Sequence, residues 1–170
     1  MLTMLLILQL AILHPKPLHH EELRETEHSY IVIHSTADCS NVKNVIRYLR
    51  RTSKSYHYLI AKDGTITELL DPLWQGAHAG LSFYDGMWHW NRFAIGISFM
   101  NGCKQPYTEA QYRSGKALIT MLEQRYPDID STKIVTHHQI SIFRGKKDPG
   151  PLFEMKRILP DPLDKSKPPL

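Results

Sequence analysis

Tyr30-Ile31-Val32-Ile33-His34-Ser35-Thr36-Ala37 is the stretch from which the rest of the chain can be read. Residues 30–33 form a short apolar run rich in β-branched side chains, which fits a buried strand. The run stops at His34, so an imidazole stands on the end of a rigid element, from which a ligand can point into a cleft.

Elements then alternate in both directions from this strand. Over residues 41–52, Val42, Val45, Ile46 and Leu49 fall at helical spacing, with Lys43, Arg47, Arg50 and Arg51 on the other face. Residues 57–61 and 65–70 flank Lys62-Asp63-Gly64, and an Asp-Gly step between two apolar runs predicts a hairpin. Residues 71–90 read as a long loop rich in Gly, His and aromatics, a type often used for binding. Residues 93–100 return as a second buried strand. Thr108-x-x-Gln111 is a capping-box pattern; Tyr112, Leu118, Ile119, Leu122 and Tyr126 give the helix its apolar face, and Pro127 ends it. A last strand over 134–136 leads into a loop over 137–151, and 152–159 read as a short helix. The expected fold is α/β: a single mixed central β-sheet with helices packed on it. Residues 1–28 form an N-terminal apolar segment and linker, 29–159 the compact domain, and 160–170 a proline-rich tail, expected to be loosely ordered.

Composition sets the outer bounds. The 170 residues suit one domain, and 42% hydrophobic with 22% charged residues fits a globular chain with a real core. The formal net charge of +4 favours anionic partners. No dense Lys/Arg tract occurs, so no nucleic-acid partner is expected, and the chain reads as a monomer. Cys39 and Cys103 are too few for a disulfide framework; two free thiols are expected, with pairing as the alternative. Residues 1–13 are apolar but too short to span a bilayer as a helix. They have the length of a signal-peptide core, yet no Lys or Arg precedes them and no small-residue cleavage site follows. Export and an N-terminal element packed on the domain both stay open.

The chain has 10 histidines. His14, His19, His20 and His28 are expected outside the compact domain, and His57 reads as a core histidine. His34 and His137 each end a strand, and Asp148 lies in the loop beyond. Two imidazoles and a carboxylate suit Zn²⁺ and leave a fourth position for water; zinc in such a site lowers the pKa of that water from about 15.7 to about 7. These spacings match neither His-Glu-x-x-His nor a cysteine finger, so by themselves they leave a metal-free reading open.

Six segments in order narrow the choice. They are Ile31-Val32-Ile33-His34-Ser35; Ser55-Tyr56-His57-Tyr58-Leu59-Ile60 running into Lys62-Asp63-Gly64-Thr65-Ile66; Gly76-Ala77-His78-Ala79-Gly80; Asn91-Arg92-Phe93-Ala94-Ile95-Gly96-Ile97-Ser98-Phe99-Met100; Thr136-His137-His138-Gln139-Ile140-Ser141; and Lys146-Lys147-Asp148-Pro149-Gly150-Pro151. Together the chain resembles the type-2 N-acetylmuramoyl-L-alanine amidases, the family of phage lysozyme-type amidases and peptidoglycan recognition proteins.

The resemblance implies a zinc site at strand ends in a surface cleft, with His34, His137 and Asp148 as ligands and His138 as the rival to His137. Tyr56 resembles the tyrosine beside zinc in the phage-type branch, and Lys146 the lysine two residues before the third ligand. A cation there would stabilise an oxyanion. Recycling amidases carry a Glu where this chain has Ser98, which argues against a Glu-based mechanism. His78 is expected to line the cleft. Trp74, Trp88 and Trp90 would offer aromatic faces to sugar or serve as loop core. Asn91 and Arg92 would meet stem-peptide carboxylates.

The activity so implied is hydrolysis of the amide between N-acetylmuramic acid and L-alanine, with peptidoglycan or muropeptide as the partner. A phage endolysin and a bacterial recycling amidase are the alternative settings, acting after export or from the cytoplasm until host lysis. A non-catalytic muropeptide-binding module is the rival class. Such modules typically lose a zinc ligand, and here all three positions are filled.

Overall fold

The computed structural model describes residues 12–14, 29–37, 40–102 and 105–160. Cys39 and Cys103, most of the apolar N-terminus and the tail beyond 160 lie outside the described residues. Six strands form one sheet: β1 (Ile12–Leu13), β2 (Tyr30–Ser35), β3 (Tyr58–Ile60), β4 (Ile66–Glu68), β7 (Ala94–Phe99) and β8 (Ile134–Thr136). Their order is β1-β4-β3-β7-β2-β8. Every pairing is parallel except β3 with β4, whose antiparallel hairpin turns at the expected Asp-Gly step, with Gly64 at φ +87°. The expected mixed α/β sheet is therefore present. Ile12–Leu13 pairs with β4 at the sheet edge, and His14 Nδ1 lies 3.2 Å from Glu68 Oε1. His14 thus touches the domain from which it was expected to stand apart.

Period-two alternation sorts the side chains between two faces. Ile31, Ile33, Tyr58, Ile60, Ile95, Ile97 and Phe99 point to the face covered by α2 (Glu109–Arg125), where Leu118, Ile119 and Leu122 complete the main core. The capping box of α2 forms as read, with Thr108 accepting from the Gln111 N–H. The opposite face receives Val32, His34, Leu59, Ala94, Gly96 and Ser98. On that side α1 (Val42–Arg51) packs Val45 and Leu49 against Leu59, Leu69 and Met100, while Trp90, Ala79 and Ile140 pack over Val32, Ala94 and Val135.

Three local readings change. Residues 71–90 are not wholly loop: β5 (Phe83–Tyr84) and β6 (Met87–Trp88) form a hairpin whose turn residues, Asp85 and Gly86, both have positive φ, the conformation that favours Asp-Gly. The stretch after β8 is not loop either. It opens with one turn of helix, α3 (His137–Ile140), capped by a Thr136/Gln139 box. His137 is therefore the first residue of a helix and not the end of a strand. Residues 152–159 hold only a 3₁₀ turn, Met155–Arg157.

Candidate functional site

The site lies on the α1 face, where β2 and β7 end. Parallel register places His34 beside Ser98, at the carboxyl ends of strands where open α/β sheets commonly hold their ligands. The first turn of α3 brings His137 alongside, with its ring centroid 4.5 Å from that of His34. Asp148 completes the group: its Oδ2 lies 3.0 Å from His137 Nδ1 and 3.3 Å from His34 Nδ1. One ligand atom from each of the three residues falls within 4.8 Å of the others. The His34 and His137 side chains are 1% and 6% exposed and that of Asp148 18%, so the group opens to solvent on the carboxylate side.

The outer ring nitrogens are committed. His137 Nε2–H donates to the Ala79 carbonyl at 3.1 Å. His78 Nε2–H donates to the Ala94 carbonyl at 3.0 Å, which leaves His78 Nδ1 to accept from His34 Nε2–H, also at 3.0 Å. Both Nδ1 lone pairs thus converge on a carboxylate, acceptors facing an acceptor. A cation satisfies such a group, either a metal ion at its centre or a proton on Nδ1. Burial pushes His34 down to about 4, so it resists protonation at neutral pH, although the Asp148 hydrogen bond works in the opposite sense. Burial would raise Asp148, but bonding and charge from His137 and His34 outweigh it and hold the carboxyl well below the usual range. Two imidazoles and one carboxylate, with the outer ring nitrogens anchored to a carbonyl or a further histidine, form a group that could hold a metal ion, and the donor set suits zinc.

His78 is thus placed differently from expectation. It is buried, with both ring nitrogens bonded inside the protein, so it sets the tautomer of His34 and does not line the cleft. Asn91 likewise faces inward: its Oδ1 accepts from the His78 and Ala79 backbone N–H groups and braces the loop. Gly96 makes room for the relay, since a Cβ there would lie 2.5 Å from His78 Cγ. His57 is the core histidine expected, accepting from Gly96 N–H and donating to the Trp74 carbonyl.

Tyr56 is half-buried, with its ring 5.2 Å from that of His34. Burial and then the charge of Asp148 push its phenol up to about 12, so it stays protonated. Ser98 Oγ is near enough to offset this slightly, yet it is buried without a hydrogen bond of ordinary geometry. The charge of Lys146 reaches His34, and the half-buried lysine is carried by the loop that precedes Asp148. His138 turns outward: its Nδ1 bonds the Lys146 carbonyl at 2.6 Å and ties that loop to α3. Trp74 is half-buried and Arg92 exposed, whereas Trp90 is wholly buried as loop core. Trp88 is exposed and stacks near Phe83.

Sequence reading missed two supports. Arg144 Nη1 donates to the Ala79 and Leu81 carbonyls, fixing the strap that His137 also holds. The Tyr107 hydroxyl donates to the Pro149 carbonyl next to Asp148, across a cis Asp148–Pro149 bond. Neither residue belongs to a local motif that would announce it.

Comparison with known proteins agrees with this geometry. The profile of the N-acetylmuramoyl-L-alanine amidase family (Amidase_2) matches residues 24–151. The chain is 40% identical over 105 residues to the 1,6-anhydro-N-acetylmuramyl-L-alanine amidase AmpD of Haemophilus influenzae, covering 62% of this chain and 56% of that one. It is 38% identical over 104 residues to AmpD of Escherichia coli, covering 61% and 56%. The chain spans about half the length of these curated relatives. Among solved structures, a selenomethionine AmpD derivative superposes with a TM-score of 0.72 at 28% identity, covering 86% of this chain and 92% of that one. The Escherichia coli amidase AmiD, in complex with anhydro-N-acetylmuramic acid-L-Ala-D-γ-Glu-L-Lys, gives 0.71 at 27% identity, covering 81% and 59%. With the profile matched over residues 24–151, the chain belongs to the type-2 N-acetylmuramoyl-L-alanine amidase family.

Proposed function

We propose that this protein hydrolyses the amide between N-acetylmuramic acid and L-alanine in peptidoglycan or its fragments, with zinc held by His34, His137 and Asp148. The observation that carries the proposal is the convergence of two Nδ1 lone pairs and one carboxylate inside 4.8 Å. A zinc ion in such a group supplies Lewis-acid chemistry, activating water and polarising a carbonyl.

The chain's own residues supply the rest. His78 and the Ala79 and Ala94 carbonyls hold the two imidazoles in the tautomer that offers Nδ1. Tyr56, kept protonated, donates a hydrogen bond and does not act as a base. Lys146 brings a positive charge to neutralise the oxyanion that develops as the amide is attacked. Trp74 and Arg92, at the surface, are the remaining candidates for substrate contact, with Arg92 able to pair with a stem-peptide carboxylate.

Two settings fit this chemistry. The names of the curated relatives favour a recycling amidase acting on anhydro-muropeptides. Tyr56 resembles the phage-type branch, and Ser98 stands where recycling amidases carry Glu; both favour an endolysin. Digestion of purified peptidoglycan and of soluble anhydro-muropeptide, followed by mass spectrometry, tests the proposal. Peptides beginning with L-alanine, together with peptide-free glycan or sugar, are expected. Products cut within the glycan or between amino acids would refute it, and binding without cleavage would leave the recognition-module reading.

A further inference from the structure

Positive charge is dense in one segment of this sequence. Between Asp38 and Asp63 there is no acidic residue, while Lys43, Arg47, Arg50, Arg51, Lys54 and Lys62 all fall there. Five of them, all but Lys62, belong to α1 and the turn after it; the chain's other 16 Lys and Arg face 17 acidic residues. Lys43, Arg47, Arg50, Arg51 and Lys54 are exposed. The spacing of 43, 47 and 50 follows the helical repeat, so these cations form a stripe along α1, which runs about 12 Å from Lys43 to Arg51 at ~1.5 Å per residue, with Lys54 just beyond its C-cap. A groove of about 540 Å³ lies on this face, lined by Lys43, Ile46, Arg47, Arg50 and Arg51. Exposed Tyr48 stands beside it, with Lys54 Nζ 5.6 Å from its ring centroid.

Folding uses only part of this stripe: Arg50 and Arg51 sit in the last turn, where cations favour the helix end. Like charges three and four residues apart weaken a helix, and α1 keeps them without an acidic residue in its first turn. A membrane anchor is a poor fit, because the apolar side of α1 is already used against Leu59, Leu69 and Met100 and cannot enter a bilayer. What faces outward is charge spaced along a line, which complements a linear polyanion. The stripe also lies by the candidate site. Tyr56 packs on the cluster formed by Val45 and Leu49 of α1.

We propose that the outer face of α1 is an attachment surface for polymeric peptidoglycan, pairing its cations with the carboxylates of stem peptides neighbouring the one being cut. This rests on the amidase reading above. A single muropeptide fills the site, whereas only a polymer also spans the stripe. Two-point attachment therefore raises the affinity for intact wall alone.

The test compares the full chain with the Lys43→Gln/Arg47→Gln/Arg50→Gln/Arg51→Gln variant, in which Gln preserves helix propensity. Two readouts are taken: co-sedimentation with purified sacculi at low and high salt, and turnover of soluble muropeptide. The variant should lose affinity for sacculi on the order of tenfold, and high salt should do the same to the parent. Turnover of soluble muropeptide should be unchanged, with the variant still folded. If the quadruple variant folds poorly, the pairs Lys43→Gln/Arg47→Gln and Arg50→Gln/Arg51→Gln are each expected to lose part of the binding. Equal binding of parent and folded variants to sacculi overturns the proposal. So does an equal loss on soluble muropeptide, which would put the stripe in the cleft itself. Stripe-dependent binding to phosphatidylglycerol vesicles or duplex DNA that is as tight as to sacculi overturns the wall assignment. A parent that binds sacculi through the stripe but cleaves no muropeptide sinks the amidase reading and leaves the attachment surface standing.

Discussion

Replacing His78 with Phe should weaken zinc binding without touching a proposed ligand. The imidazole of His34 is wholly buried, and its Nε2–H has His78 Nδ1 as acceptor at 3.0 Å. Phe removes that acceptor, and no water can take its place at a fully buried ring. An unpaired buried donor costs about 1–3 kcal/mol. The alternative is for the proton to move to Nδ1, which points at Asp148 and then no longer offers a lone pair. By either route metal affinity should fall on the order of 10–100-fold, the usual consequence of losing a supporting partner, or about 1.4–2.8 kcal/mol of binding free energy. The assay is competition for zinc against a chromophoric chelator, with the melting temperature of the metal-free protein recorded alongside. His78→Asn, whose side-chain oxygen can approach the position of Nδ1, should recover part of the affinity. Zinc affinity of His78→Phe within about twofold of the parent, with an unchanged metal-free melting temperature, would refute the relay.

Other consequences are direct. Gly96→Ala places a Cβ 2.5 Å from His78 Cγ and should cost about 1–3 kcal/mol by overpacking, read as a drop in melting temperature. Tyr56→Phe and Lys146→Met should each fold and keep zinc yet turn over on the order of 10² more slowly; parent-like rates would remove both from the chemistry. Ser98→Ala should retain most activity, since the hydroxyl it deletes makes no ordinary hydrogen bond; a loss as deep as that of a ligand variant would show that Ser98 takes part. The metal-free protein should lose stability as pH falls from 6.5 to about 4, because His34 is pushed down to about 4 from 6.5 and the unfolded chain takes up a proton the folded one refuses. That contribution is fully present above 6.5. Asp148, held below 3.8, adds a further loss at lower pH, and a denaturation midpoint flat across this range would contradict both assignments.

Much of this was legible because local rules and tertiary structure agree. The buried strand ending at His34, the Asp63-Gly64 hairpin and the Thr108/Gln111 cap each follow from short-range chemistry and appear as read. Two further elements obey rules that already apply elsewhere in this chain. Thr136-x-x-Gln139 repeats the capping pattern of Thr108-x-x-Gln111 and marks a helix start, which moves His137 from a strand end to the first turn of α3. Asp85-Gly86 repeats the hairpin signal of Asp63-Gly64 and joins β5 to β6 within residues 71–90. The inward role of His78 was not legible. A histidine in Ala-His-Ala-Gly looks the same whether it meets substrate or supports a ligand, and only the register that sets Gly96 beneath its ring decides between them.

The central claim is that His34, His137 and Asp148 hold a zinc ion that serves amide hydrolysis. The most direct measurement follows turnover of a soluble muropeptide by protein stripped of metal and then titrated with zinc, identifying products by mass. Activity should be absent in the stripped protein and rise to a plateau near one zinc per chain, releasing peptide that begins with L-alanine; His34→Ala, His137→Ala and Asp148→Ala should stay inactive at that stoichiometry. Full turnover by the stripped protein, or zinc-restored activity that survives loss of all three residues, would contradict the account.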